Sequence, residues 1–455
     1  MNIIEELTEA LGTETVLTGA AIGERYRSDE SLTGRILPMA VIRPRTVEEV
    51  ATALRICNRH GQPVIPQGGL TGLAGGANAS GGEVAISLEH LAGIEEIDTA
   101  AGTMTLKAGT VLEVAQNAAA EAGMLLAIDL GARGSCQIGG NISTNAGGIR
   151  VIRHGVTRDN VLGLEVVLAD GTVLSMLNKM TKNNTGYDLR QFFIGAEGTL
   201  GIITRAVVKL KPLPAGRSTA LVALESYDAV VSLLTRARRE LEALSAFEAM
   251  WENFVRFNCE AAGIRFFETA YPFLVIIEAD SDGSDAARDR FEAFLGGALE
   301  EGLIVDALIA QSEKETQRFW SVREAHMMGQ LLPALINLDV SLPIGSIGDY
   351  AQACETALLQ RFPDAHVSFF GHIGDSNLHV AISVGEASEE DLHAVDGIAY
   401  DLVQAFKGSI SAEHGVGTLK RPYLGCSRSA EELDAMRRIK LALDPRGILN
   451  PGKVI

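Results

Sequence analysis

Apolar positions along the chain alternate between a helical and an extended period. Near the start, Ile4, Leu7 and Leu11 share one face of a helix. "MAVIRPRT" reads as a strand running into proline. "TVEEVATALRICNRHG" has the helical period, with Thr46 and Glu49 as a capping box and Gly61 as the stop. "QPVIPQGG" returns as a strand and completes a βαβ unit. The order then repeats: "GTMTLKAGT" is a strand, "TVLEVAQNAAAEAG" a helix opened by a second Thr-x-x-Glu (Thr110, Glu113), and "MLLAIDLG" a strand. "NVLGLEVVLADGTVLSM" predicts a hairpin with an Asp-Gly turn, and "LGIITRAVVKLKPLP" a long closing strand. "KPLPAG" (211–216) is the clearest boundary. Beyond it, the strands "TALVALES", "YPFLVIIEAD" and "GLIVDALIA" alternate with helices over 227–245 and 284–302, which predicts an α+β domain on an antiparallel sheet. A helix and an extended tail occupy 429–455.

A chain of 455 residues exceeds one core, so at least two domains are expected. The net charge of -19 opposes a nucleic-acid or anionic-lipid footprint, although a local basic pocket could still hold an anionic substrate. No apolar run approaches the ~18 residues that span a bilayer, and "MNIIEELTEALG" has no feature of a targeting peptide. The five cysteines (57, 136, 259, 354, 426) are scattered and without a CxxC, as expected of reduced thiols in a cytoplasmic chain. Composition changes the picture at one point. The chain has 48 glycines, and the excess is concentrated between 61 and 201, where something needs close access to backbone.

Two segments carry that excess. "PQGGLTGLAGG" (66–76) follows a strand, yet lacks both the Lys-[Ser/Thr] of a triphosphate loop and the G-x-G-x-x-G order of a dinucleotide turn. "GARGSCQIGGNISTNAGG" (131–148) repeats its chemistry, glycines spaced by small hydroxyl and amide residues. Backbone N–H groups in such segments can donate to oxyanions, and two of them suggest a long cofactor with a pyrophosphate in its middle. Turn glycines between short strands are the alternative.

"GHIGDSNLHV" (371–380) places His372 and His379 seven residues apart. Read as a hairpin centred on Asp375 and Ser376, it sets the two histidines opposite one another on one face, at the roughly 4.5–5.5 Å Cβ separation of a cross-strand pair. "SAEHGVG" (411–417) adds Glu413 and His414. In "FWSVREAH" (319–326), Arg323 and His326 share a helical face; His326 is read as structural.

These segments, with "IGAEGTLGIIT" and "LDPRGILNPGK", occur in the order that resembles the flavin-dependent D-2-hydroxy-acid dehydrogenases of the vanillyl-alcohol-oxidase superfamily. The branch is that of D-2-hydroxyglutarate and D-lactate dehydrogenases and the glycolate oxidase flavin subunit. The resemblance runs from about residue 36 to 455. It implies an α+β chain: an N-terminal helix and lead-in (1–35), a two-subdomain FAD-binding domain of the p-cresol methylhydroxylase type (36–214), a ferredoxin-like substrate or cap domain with a metal site (215–428), and a C-terminal helix and tail packed on the FAD domain (429–455). FAD would meet Pro66, Gln67, Gly68, Gly69, Leu70, Thr71 and Gly72 from the first loop, and Gly134, Ser135, Ile138, Gly139, Asn141, Thr144 and Gly148 from the second. Glu197, Gly201 and Ile202 would also line it, and Asn450 would return to the flavin ring. Leu70 stands where some members carry a covalently attached histidine, so non-covalent FAD is expected.

The resemblance further implies His372, His379 and Glu413 as ligands of a divalent ion, zinc being the expected one, a set known with an open position for catalysis. It implies His414 as the base that takes the hydroxyl proton while hydride leaves for flavin N5, and Arg323 as a bidentate carboxylate clamp. The sequence departs from the D-2-hydroxyglutarate pattern at three places: Asn337 replaces a Lys, Met327 a Thr and Ala381 an Asn. Those groups would hold a distal carboxylate, so a D-lactate-like or more apolar substrate is expected. D-2-hydroxyglutarate dehydrogenase proper, a flavin subunit of a glycolate-oxidase-type complex, a non-redox flavoenzyme resembling alkyl-dihydroxyacetone-phosphate synthase, and a metal-dependent hydrolase are the alternatives. With no cluster-binding cysteines, electrons would pass to an external quinone, electron-transfer flavoprotein or cytochrome; a homodimer is compatible with all of this.

Overall fold

A computed structural model describes residues 2–325 and 327–455, and His326 lies outside the described residues. The chain forms two compact units: Met1–Gly147, Gly155–Leu213 and Glu413–Ile455 make the first, and Gly148–His154 with Pro214–Ala412 the second.

In the first unit, helix Val47–His60 forms where the apolar period placed it, burying Val50, Leu54 and Cys57. Thr46 accepts from the Glu49 N–H at 3.2 Å, while the Glu49 carboxylate takes the Arg45 N–H at 2.6 Å, so the expected capping box is only half formed. Gly61 ends the helix at φ +61, a left-handed conformation that costs glycine little. The strands Ala40–Ile42, Val84–Ser87 and Val64–Gln67 pair in parallel, with Val16–Thr18 antiparallel at the edge. A second, five-stranded antiparallel sheet runs in the order Ile94–Asp98, Thr103–Lys107, Ile202–Lys209, Val161–Val167, Val173–Met176. One apolar core unites both sheets, including Ile42, Leu54, Ile86, Leu106, Val166 and Ile202.

Two local expectations change here. Thr110 does not cap the helix Leu112–Glu121. Its hydroxyl donates to the Lys107 carbonyl at 2.7 Å and accepts the Gly93 N–H at 3.0 Å, nearer partners that compete successfully. "MLLAIDLG" contributes only a two-residue strand, Met124–Leu125, paired with Lys211–Pro212.

The second unit is built on a seven-stranded antiparallel sheet. Its order is Asp306–Ile309, Gly216–Leu224, Phe273–Ser281, Leu244–Trp251, His366–His372, Asn377–Ser383, Ile336–Ser341. Helices Glu252–Ala262 and Glu313–Glu324 cover one face, where Phe254 and Phe319 join Leu221, Met250, Leu274 and Ile276 in a core.

The units differ from the sequence expectation at two places, while the boundary near 214 agrees with it. The second unit closes at Ala412 rather than 428, because the next residues are tied into the first unit: Val416 and Gly417 N–H donate to Glu197, and Thr418 N–H to the Ala74 carbonyl at 2.9 Å. Conversely, the end of the second glycine segment belongs to the second unit. Arg150 pairs with Glu278 at 3.1 Å and Arg153 with Asp280 at 3.5 Å, while Ile152 fills the space that a Cβ on Gly374 would need.

Candidate functional site

In the first unit the two glycine segments pack backbone against backbone. A Cβ on Gly69 would fall on the Ser135 carbonyl oxygen, and one on Gly139 would lie 2.7 Å from the Ala108 Cβ. Glycine is therefore required for the approach itself. Gln67 anchors the first loop, its amide donating to the Tyr26 and Ala77 carbonyls at 2.9 Å each. Leu70 turns the loop at φ +60.

The result is a cleft of about 350 Å³. Pro66, Gln67, Gly68, Gly69, Leu70, Thr71, Gly72, Gly139, Asn141, Thr144, Glu197, Gly201 and Ile202 all line it, as do Glu413 and His414. The remaining expected contacts are not among these lining residues. Gly134 sits beside Glu113, the Ser135 carbonyl backs Gly69, Ile138 is in the core, and Gly148 belongs to the second unit. Asn450 donates to the Gly76 and Glu197 carbonyls at 3.0 and 2.8 Å, and its N–H donates to Val64, which returns the tail to the first loop.

Sequence reasoning missed Asp29 and Gln137 in this lining. Asp29 comes from the lead-in and carries no sequence signal; Gln137 lies inside the second glycine segment, where its amide is the available signal. The buried Oε1 atoms of Gln67 and Gln137 have no hydrogen-bond partner among the described residues. A buried acceptor without a partner is costly, so the cleft fits a ligand that carries N–H or O–H donors.

Glu197 has a different task from the loops around it. Its carboxylate accepts the Val416 N–H at 2.6 Å and the Gly417 N–H at 2.8 Å, fixing the segment that follows Glu413 and His414. Burial pushes this carboxyl above its ordinary value, against the opposing pull of those two N–H groups and of Lys420.

In the second unit the histidine hairpin forms with a shifted register. Phe370, not His372, lies opposite His379, and His372 stands beyond the ladder, opposite Glu248 of strand Leu244–Trp251. A 3₁₀ turn over Ile373–Asp375, with Ser376 at φ +75, takes up the difference. A two-residue shift keeps side chains on the same face, so the two rings still meet, 5.4 Å apart and nearly perpendicular.

Arg323 comes to the same place from the end of helix Glu313–Glu324. Its Nε donates to Glu248 at 2.7 Å, its Nη2 lies 3.4 Å from His372 Nε2, and its guanidinium sits 4.7 Å from the Phe370 ring centre. Glu248, wholly buried, also binds His372 Nδ1 at 2.5 Å. Burial would raise its pKa, but His372 and Arg323 outweigh it and hold the carboxyl at about 2. Sequence reading missed Glu248 along with its strand. A lone carboxylate inside the apolar run "LSAFEAMW" was the available signal.

The strand Ile336–Ser341 completes this face. Asp339 lies opposite His379, and Asn337 opposite Ala381. Asp339 accepts the Ala412 N–H at 3.1 Å, which anchors the chain one residue before Glu413. Of the three departures from the D-2-hydroxyglutarate pattern, Asn337 and Met327 are exposed and Ala381 is buried in the apolar cluster.

Comparison with known proteins gives this geometry a family. Residues 38–176 match the model of an FAD binding domain, and residues 213–454 that of the FAD linked oxidases, C-terminal domain. A D-2-hydroxyglutarate dehydrogenase of Xanthomonas citri pv. viticola is 38% identical over 456 residues, 99% of this chain and 96% of that protein. The chain belongs to the FAD-linked D-2-hydroxy-acid dehydrogenases.

It is an FAD-dependent oxidoreductase, and the glycine-lined cleft is suited to FAD. The mitochondrial D-2-hydroxyglutarate dehydrogenase of Bos taurus is 38% identical over 418 residues, 91% of this chain and 76% of that one. Among solved structures, a 4-ethylphenol oxidase from Gulosibacter chungangensis aligns with TM-score 0.76 at 18% identity, covering 99% of this chain and 96% of that one. An alkyldihydroxyacetonephosphate synthase aligns with TM-score 0.77 at 16% identity, covering 99% and 84%. At those identities the likeness shows the shared α+β fold. Among the described residues no helix is long and apolar enough to cross a membrane.

Proposed function

We propose that this oxidoreductase converts a D-2-hydroxy acid to the 2-oxo acid, with a substrate side chain smaller or more apolar than that of D-2-hydroxyglutarate. Non-covalent FAD would supply the hydride acceptor, and a divalent cation, zinc in this reading, would supply a Lewis acid held by His372, His379 and Glu413. The donor set of two imidazoles and a carboxylate suits such an ion. Arg323 binds the substrate carboxylate through its planar fork, preorganised by Glu248 and the Phe370 ring. His414, beside the flavin cleft, accepts the hydroxyl proton at a ring nitrogen. Electrons then leave to an external acceptor.

The observation that carries the substrate reading is the environment of Ala381. It is 1% exposed and packs in a cluster with Met250, Leu274, Ile276, Phe319 and Met328, where an alanine methyl gives a distal carboxylate no polar contact. A second reading, D-2-hydroxyglutarate itself, is favoured by the names of the relatives that match this chain over nearly its whole length. Anaerobic flavin bleaching against a panel of D- and L-2-hydroxy acids separates the two. Faster bleaching by D-lactate-like or apolar D-acids is expected. Preference for D-2-hydroxyglutarate overturns the substrate reading, absence of bleaching by any acid overturns the reaction, and insensitivity to a chelator removes the cation.

A further inference from the structure

Glu248 makes two charge-assisted contacts with its two oxygens, one to His372 Nδ1 and one to Arg323 Nε. An ionised carboxylate can only accept, so the proton at the first contact belongs to His372 Nδ1. The other ring nitrogen, Nε2, lies 3.4 Å from Arg323 Nη2, which is always a donor. Glu248 therefore engages the Nδ1 side of the ring, and Nε2 is the nitrogen that a ligated ion would meet.

We propose that Glu248 is the positioning residue of this site: it holds the His372 proton on Nδ1, so that Nε2 is the metal-donor atom, and it fixes Arg323 beside that atom. The inference rests on the reading of His372 as a ligand, and extends it to the residue that sets ring orientation and ligand basicity. Carboxylate partners of ligating histidines act in this way, and their loss weakens metal binding by about 10–100-fold. The strand pairing supports the assignment, because Glu248 lies directly opposite His372 in the sheet and needs no loop to bring it there. Glutamine is the informative replacement. Its single carbonyl oxygen can serve either His372 or Arg323, and its NH₂ group must face the other. Facing His372, it drives the proton to Nε2.

The test uses the FAD-loaded full chain with ¹⁵N-labelled histidine, stripped of metal by a chelator, with His372 assigned by its disappearance in His372→Gln. A protonated Nδ1 is expected in the wild type; an Nδ1 without a proton overturns the proposal without any need for a variant to fold. Zn²⁺ titration by calorimetry then compares wild type with Glu248→Gln at equal flavin content. Binding weaker by about 10–100-fold is expected, and equal affinity overturns the role of Glu248. A wild type that binds no Zn²⁺ overturns the metal-ligand half together with the cation in the proposed function. The failure of the wider reading is thus separable from the failure of Glu248.

Discussion

Glu197 and Glu248 are both buried carboxylates that serve a functional segment, yet their acidities move in opposite directions. Glu248 sits between a guanidinium and an imidazole and is held at about 2. Glu197 receives two backbone N–H groups, with Lys420 acting through its charge, and burial wins, so its carboxyl is raised. Two neutral donors satisfy hydrogen-bond geometry, whereas a fixed adjacent cation supplies the Coulomb energy that offsets desolvation. The first unit thus uses a carboxylate as a backbone clamp, and the second uses one as a counter-charge.

The largest effect expected from this contrast is that of Glu248→Ala, which leaves Arg323 buried without its carboxylate. It should lower stability by about 3–5 kcal/mol, read from denaturant unfolding. A loss no greater than that of a surface substitution would mean that Arg323 re-pairs elsewhere. Glu197→Gln should cost less, about 1–3 kcal/mol, because one of two N–H donors loses its acceptor. The same variant should speed amide exchange at Val416 and Gly417, and unchanged exchange there would contradict the clamp.

The pH dependence of stability separates the pair by sign. Glu248 has a depressed folded pKa, so its contribution is complete above the ordinary value of 4.5 and is lost as pH falls toward about 2. Glu197 has a raised folded pKa, so above 4.5 the folded state binds the extra proton, and stability falls as pH rises through the folded value. Denaturant stability measured across pH should show Glu197→Gln flattening the second limb while leaving the first. The smallest effect is that of Lys420→Gln, which removes a cation that lowers the Glu197 pKa. It should move that second limb to higher pH with no change in the acid limb.

The same contrast explains what could be read from sequence. The glycine segments were legible because their chemistry is local and backbone-based; Gly69 and Gly139 declare a close approach whatever their neighbours are. The face shared by His372 and His379 was legible because strand periodicity survives a two-residue shift. The register was not, since it depends on the turn at Ile373–Asp375 and the left-handed Ser376. The capping role expected of Thr110 failed for a related reason, because the Gly93 partner comes from another strand connection. Glu248 was illegible as a site residue. Its meaning comes from Arg323, 75 positions away, and His372, 124 away, and neither periodicity nor a short motif encodes such distances.

The path of the backbone sets limits on how this protein can be divided. It passes from one unit to the other at 147–148, 154–155, 213–214 and 412–413. A truncation at the proline-rich linker around 213 therefore yields no self-contained module. The N-terminal product keeps Arg150 and Arg153 without their acidic partners Glu278 and Asp280. The C-terminal product carries off Leu449 and Asn450, which the strand Val64–Gln67 needs at its edge. Gene fragments split there should each be poorly soluble when expressed alone and should recover flavin binding only when co-expressed, behaving as a complementation pair rather than as two domains.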